Sequence, residues 1–533
     1  MALSKMLADL PVETGSGINP KKEGLRQTLQ LASIFAVVTL ALHVAINLRA
    51  QHLGYELFRD EMYYILCGRH LAWGYVDQPP IVALAARFSE LVFGWHSVAL
   101  FRMLPSLAGA LEVAGTGLLV REMGGRRLAQ GLAMLGVLTC TVVLAIDAFL
   151  SMNCFEPLFW MGTAYGILRA VRGDGELWWI VAGVMAGLGL ENKWNEVFFL
   201  FSVLAALLVI PAVRKTLDRW FAVCIAVIVL IALPNILWQV HRGWPTLVWL
   251  HNAGTQGKNI VYGPGMFLWN QIFLLGPLSS LLWVGGLIWL LTSPRARGLR
   301  WIGVAYVVYF LGMMAMHAND YYLAPVYPLL FAAGGVAWSQ WLAPGRARRI
   351  AIPVYSFLIM VYGVLGILSV QPVLTPPEYV RYILPSGLKP RQFNAALNSP
   401  LYELAADMTG WQEQANKLAE AYWSLSPADR AKAGILVGNY GEASAVNLFR
   451  PDVPTAISGH QNYWYWGPQG HDGSVMVAFG EKREVLEQRF TSVTEISKVY
   501  NQWGHTFESG PVYLCRGAKQ NLMEAWPAWK RWF

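Results

Sequence analysis

The sequence predicts a polytopic α-helical membrane protein that ends in a separate soluble α/β domain. Three observations carry that prediction. Hydrophobic residues make up 55% of the 533-residue chain and charged ones only 14%, against roughly 25% charged in a soluble domain. Apolar runs long enough to cross a hydrocarbon core recur from Leu31 to the neighbourhood of Gln371. Clusters of Arg and Lys fall at every second loop between those runs.

The apolar runs place spans at 28–48, 97–119, 128–147, 154–171, 177–191, 195–213, 220–240, 266–291, 301–316, 321–342 and 350–370, about eleven in all. A polar leader, 1–27, precedes the first. That first run has no small-residue cleavage site and reads as a retained signal anchor. Basic clusters stand at Lys21/Lys22/Arg26, Arg121/Arg126/Arg127, Arg169/Arg172, Arg214/Lys215/Arg219, Arg295/Arg297/Arg300 and Arg346/Arg348/Arg349. The positive-inside rule makes these loops cytoplasmic and the N-terminus with them. The opposite, periplasmic or extracytoplasmic face of the inner (plasma) membrane then receives the loop 49–96, the turn 147–153, the stretch 191–195, the loop 241–265, the turn 317–322 and everything after Gln371.

The net charge of +8 resides in the membrane region, because the tail 371–533 carries 15 basic and 15 acidic residues. Charge distributed over cytoplasmic loops is an orientation signal and no nucleic-acid surface. Five cysteines are too few for a disulfide framework, although Cys67 and Cys515 both fall outside the membrane, where a bridge is chemically permitted. The tail opens with Pro372, Pro376 and Pro377. It then reads as helix around 400–424, a strand GILVGNY (434–440), a helix (441–449), a strand VMVAFG (475–480), a helix through 481–489 and a strand PVYLC (511–515), which is the pattern of an α/β domain.

Polar chemistry gathers on the outer side. The loop 49–96 contains Arg59-Asp60-Glu61-Met62-Tyr63-Tyr64, His70 and Trp73-Gly74-Tyr75-Val76-Asp77-Gln78-Pro79-Pro80, followed by an amphipathic stretch, 81–93, suited to the membrane interface. Asp60 or Glu61 suits a general base; equally, these are charges on a solvated juxtamembrane helix with Tyr and Trp as anchors. Glu156 stands at a helix start, where it also complements the helix dipole. Glu191-Asn192-Lys193-Trp194-Asn195 interrupts two apolar runs, and charges at that depth default to function; Lys193 suits a phosphate, or else a snorkelling or Glu191-paired cation. His317-Ala318-Asn319-Asp320-Tyr321-Tyr322 supplies belt aromatics or a groove lining. His317, Asp320 and first-loop carboxylates are the candidate metal donors, but no pair has ligand spacing. In the tail, His460, Asn462, Trp464 and Trp466 form an amide-and-aromatic group that suits either a sugar face or docking of the domain. The chain has no GxSxG, HExxH or Walker motif.

The strings Arg59-Asp60-Glu61-x-Tyr63-Tyr64 and Gly74-Tyr75-x-Asp77-x-Pro79-Pro80 resemble the protein-mannosyltransferase-like membrane glycosyltransferases, whose bacterial members include the aminoarabinose transferases that modify lipid A. The resemblance extends to Lys193, to Tyr321-Tyr322-Leu323-x-Pro325, and to Tyr440-Gly441-Glu442-Ala443 and Ser458-Gly459-His460. It implies a GT-C fold with an outward-facing site in 28–370, a polyprenyl-phosphate sugar donor, and inverting transfer to a glycolipid, polysaccharide or protein hydroxyl. By the same resemblance Asp60 is the catalytic carboxylate with Glu61 supporting it, Arg59 and Lys193 stabilise the donor phosphate, and Tyr321 and Tyr322 border the donor site. Tyr63, Asp77, Glu156, His317 and Asp320 are further candidates for support. Two positions depart from the lipid A transferases: Gln78 where a lysine is usual, and Glu156 where aspartate is commoner. The alternative class, a transporter or flippase, is expected to show repeats and polar groups at mid-membrane; the sequence shows no repeat, and its polar groups gather at one face.

Overall fold

The computed structural model describes residues 20–257, 260–392, 394 and 398–533. The predicted N-terminal tail lies outside them up to residue 19. The predicted spans fall mostly on helix, as they must where the backbone has no water to bond to, but 128–147 breaks at Thr139–Cys140 and 321–342 opens with the 3-10 stretch Asp320–Val326. The count of spans, however, is not settled by length. Gly24–His52, Met103–Glu122, Arg219–His241 and Arg346–Val370 are long and apolar enough to cross a membrane alone. Arg127–Leu138, Leu177–Asn192, Glu196–Val209 and Arg300–Ala315 are apolar but shorter.

The predicted span 266–291 is corrected: it consists of two helices, Pro264–Leu275 and Ser280–Thr292, bent by 118°. Gly276, at φ +99°, ends the first helix, and the Tyr362 ring occupies the space where a Cβ would stand. Pro277 then prevents continuation. A tight core of Trp160, Trp289, Trp301, Tyr309 and Tyr327 holds the bundle.

The loop 49–96 contributes helices Arg59–Arg69 and Ile81–Phe93. The second turns Leu84, Phe88, Leu91 and Val92 outward and buries Val82, Ala83, Ala86 and Ser89, the amphipathic arrangement its sequence predicts. One ion pair fixes this loop to the bundle. Glu61 and Arg102 are both fully buried. The Glu61 carboxylate accepts from Arg102 Nη2 at 2.7 Å, Arg102 Nε at 3.0 Å, Phe58 N at 2.8 Å and Leu150 N at 2.8 Å.

The tail forms one four-stranded sheet, β1 (Ala433–Val437), β2 (Val475–Phe479), β3 (Phe490–Val499) and β4 (Gly510–Ala518), in the order β1-β2-β4-β3. β1 and β2 are parallel, and the other pairs are antiparallel. Sequence reading misses β3, because this edge strand is mostly exposed and offers no apolar run. All five cysteines are free and buried, so Cys67 and Cys515 form no bridge. Asn439 caps the helix Tyr440–Phe449, accepting from Gly441 N and Glu442 N, while Glu442 accepts from Asn439 N at 3.1 Å.

Two consequences are measurable. Glu61→Gln leaves the Arg102 charge buried without its counterion, at a cost of about 3–5 kcal/mol; a large fall in melting temperature in detergent is expected, and an unchanged melt would show that the pair does not hold the loop. Burial pushes the Glu442 carboxyl up to about 8 from 4.5. The folded state therefore keeps a proton that the unfolded state gives up. This contribution is fully present below about pH 4.5 and is lost as pH rises toward 8. Glu442→Gln should flatten the decline of melting temperature over that window, and a parallel pH curve for the variant would refute the assignment.

Candidate active site

A cavity of about 1420 Å³ lies where the loop 49–96, the helical bundle and the tail domain meet. Arg59, Asp60, Asp77, Lys193, His317, Asp320, Tyr321, Tyr322 and His460 line it. The structure thus brings nine of the sequence-predicted residues, separated by up to 401 positions, to one space.

Asp60 stands in the first turn of the helix Arg59–Arg69 and is partly open, with 30% of its side chain exposed. Tyr440 donates its hydroxyl to Asp60 Oδ1 at 2.6 Å. Burial pushes the Tyr440 phenol up against the pull of Arg59, so it stays protonated and donates. Arg59 Nη2 lies 3.1 Å from Asp407 Oδ2, and its Nε lies 3.8 Å from Asp60 Oδ1. Gly441 lacks the Cβ that would collide with the aliphatic stem of Arg59. The string Tyr440-Gly441 therefore matters for what it touches across the chain.

Lys193 sits where the helix Leu177–Asn192 ends in extended backbone before Glu196–Val209 begins. Its ammonium donates to Glu156 Oε2 and Asn153 Oδ1, both at 2.8 Å. It also lies 4.9 Å above the Tyr322 ring and 5.6 Å above that of Tyr321, a cation–π arrangement. Asn195 braces the group, donating to Glu156 Oε1 at 2.8 Å and Tyr322 O at 3.1 Å. An ammonium has three protons; two are engaged here, and the residue faces the cavity. Asp320 Oδ2 accepts from Asn270 at 2.8 Å, and Arg391 in turn donates to Asn270 Oδ1 at 2.9 Å.

Other predicted residues stand behind the cavity wall. Glu61 is absorbed by Arg102 and does not line the space. Glu156 is buried behind Lys193. Tyr63 is buried and donates to Asp77 Oδ1 at 3.1 Å. Asn462 accepts from Val76 N at 2.9 Å, and Trp466 stacks on His70 with ring centroids 4.6 Å apart, so docking onto the loop 49–96 describes these two. Trp464 exchanges hydrogen bonds with Trp526 inside the tail itself, which fits neither reading, and of the four His460 lines the cavity. His460 stacks on Tyr440 at 5.2 Å. The metal donors anticipated at His317 and Asp320 do not cluster; among the described residues the group with ligand spacing is Asp407, His505 and Glu508. Sequence reading missed Asp407, Lys389, Arg391 and Arg531, which also line the cavity, because each is an ordinary charge in a polar tail until the fold brings it there.

The dolichyl-phosphate-mannose-protein mannosyltransferase family model matches residues 77–238. The lipid A galacturonosyltransferase RgtD of Rhizobium johnstonii is 25% identical over 332 residues, covering 60% of this chain and 68% of that one. The lipopolysaccharide core galacturonosyltransferase RgtA of the same organism is 23% identical over 230 residues, covering 40% of this chain and 43% of its own. The crystal structure of ArnT from Cupriavidus metallidurans bound to undecaprenyl phosphate superposes with a TM-score of 0.55 at 14% identity, covering 91% of this chain and 98% of that one. The sequence relatives are glycosyltransferases, and the tertiary likeness extends through both the helical bundle and the tail. Taken with the cavity at their junction, these likenesses identify the chain as having the GT-C fold of the protein-mannosyltransferase-like membrane glycosyltransferases.

Proposed function

We propose that the protein is an inverting glycosyltransferase that moves a sugar from a polyprenyl-phosphate donor to an acceptor on the outer face of the membrane. The observation that carries this reading is one cavity lined by both a carboxylate, Asp60, and a cation held on aromatic faces, Lys193. In this reading Lys193 meets the donor phosphate with its remaining N–H, and Tyr321 and Tyr322 border the lipid phosphate. Arg59 adds positive potential from the side of Asp60. The acceptor hydroxyl attacks the anomeric carbon, the bond from that carbon to the phosphate oxygen breaks, and the hydroxyl proton passes to Asp60. A lipid phosphate leaves with its charge already balanced by cations, so placement and fixed charge do most of the work. Gln78 lines the cavity but is a neutral amide, 3.6 Å from Cys67 Sγ, so the cationic role falls to Lys193 rather than to the position before Pro79-Pro80. The acceptor class proposed first is a glycolipid, as the names of both sequence relatives suggest; polysaccharide and protein hydroxyls follow.

The test is release of polyprenyl phosphate from a panel of donors carrying neutral, acidic and amino sugars. Asp60→Asn is expected to lower turnover by at least about 100-fold while donor binding persists. Lys193→Met should weaken donor binding and turnover together. Equal release by wild type and Asp60→Asn would remove Asp60 from catalysis. Translocation of a lipid-linked sugar without any release would favour a flippase.

A further inference from the structure

We propose that Asp407, His505 and Glu508 form a divalent-cation site, of the class with mixed nitrogen and oxygen donors that zinc occupies. The proposal stands independently of the transferase reading. Each residue offers one donor atom, and the three atoms lie within 4.8 Å of one another in the protein interior. All three side chains are at most 1% exposed.

The hydrogen bonding divides these residues in a telling way. Asp407 Oδ2 is engaged by Arg59 Nη2 at 3.1 Å, whereas Oδ1 has no hydrogen-bond donor. Glu508 Oε2 accepts from His505 N at 3.1 Å and Asn501 Nδ2 at 3.2 Å, whereas Oε1 has none. Neither ring nitrogen of His505 has a hydrogen-bond partner. Each carboxylate therefore has one oxygen fixed by a neighbour and the other left for the cluster. Buried polar atoms without partners are rare and costly, and here they stand together. A bound cation satisfies them at once, and the fixed oxygens are the outer-shell contacts that orient metal ligands.

His505 Nε2 and Asp407 Oδ1 are 3.3 Å apart but not aligned as donor and acceptor. A separation near 3.3 Å is also the edge of a tetrahedron with bonds of about 2.0–2.1 Å, the zinc–nitrogen and zinc–oxygen lengths. Three protein donors leave a fourth position for water. Two carboxylates balance a divalent charge, and the adjacent Arg59 is shared with Asp60. The cation would tie the turn after the helix Glu403–Ala406 to the segment 501–508. Through Asp407 it would position Arg59 at the cavity. The competing description is a proton-sharing network with no metal.

The test uses full-length protein in detergent with its affinity tag removed, stripped by chelator and then dialysed against zinc chloride. Wild type should retain about one equivalent of zinc and gain thermal stability, whereas His505→Gln and Glu508→Gln should retain almost none while staying folded by circular dichroism. X-ray absorption of the wild type should show a nitrogen/oxygen shell at about 2.0 Å with imidazole scattering. Wild type that retains no zinc, zinc retained equally by both variants, or a shell without imidazole would each overturn the site. The first of these needs no variant to fold.

Discussion

The buried ion pair between Glu61 and Arg102 is the constraint on which the cavity depends. Two charges taken fully out of water are tolerable only when their hydrogen bonding is nearly complete. Here the carboxylate meets Arg102, the amide of Phe58 and the amide of Leu150. Those three partners belong to the bundle, the start of the loop helix and the turn before Met152. A single carboxylate thus fixes where the helix Arg59–Arg69 begins, and with it the neighbouring positions Arg59 and Asp60. The pair has no direct exposure to the cavity, yet the direction of Asp60 follows from it.

The tail domain completes the arrangement. Tyr440 bonds Asp60, Asp407 pairs with Arg59, and Glu56 accepts from the amide of Trp411 at 2.6 Å. Asn462 accepts from Val76 N in the same loop. The tail domain is therefore a wall of the cavity rather than an appendage, and its burial of Arg59 keeps that cation away from bulk screening. In the bundle part of the lining Lys193 is held by Glu156 and Asn153 and rests on two tyrosine rings. The result is a space with fixed charges of both signs on its walls, which suits separation of a phosphate leaving group from a proton acceptor.

Much of this was legible in the sequence, for reasons that can be named. Apolar runs mark helices because lipid leaves the backbone no other partner, and the runs are mostly helical, although 128–147 and 266–291 are each broken into two helices. Lys193 stood out because a charge between two apolar runs is expensive. Glu61 was harder to read. It is adjacent to Asp60 in sequence, but successive helical residues point about 100° apart, so one faces the cavity and the other faces Arg102. Tyr440 and Asp407 were invisible as partners because 380 and 348 positions separate them from Asp60 and Arg59. The strand β3 was missed because an exposed edge strand has no hydrophobic signature. The bend at Gly276-Pro277 was written in the sequence as a helix stop, but the apolar residues on either side obscured it.

The most direct measurement is a cryo-EM structure of the protein with a polyprenyl phosphate bound. The account predicts the phosphate within hydrogen-bonding distance of Lys193 Nζ, about 3 Å, beside Tyr321 and Tyr322, with the lipid chain leaving toward the bundle and Asp60 facing the phosphate across the cavity. A phosphate held elsewhere, with Lys193 still enclosed by Glu156 and Asn153 alone, would contradict it.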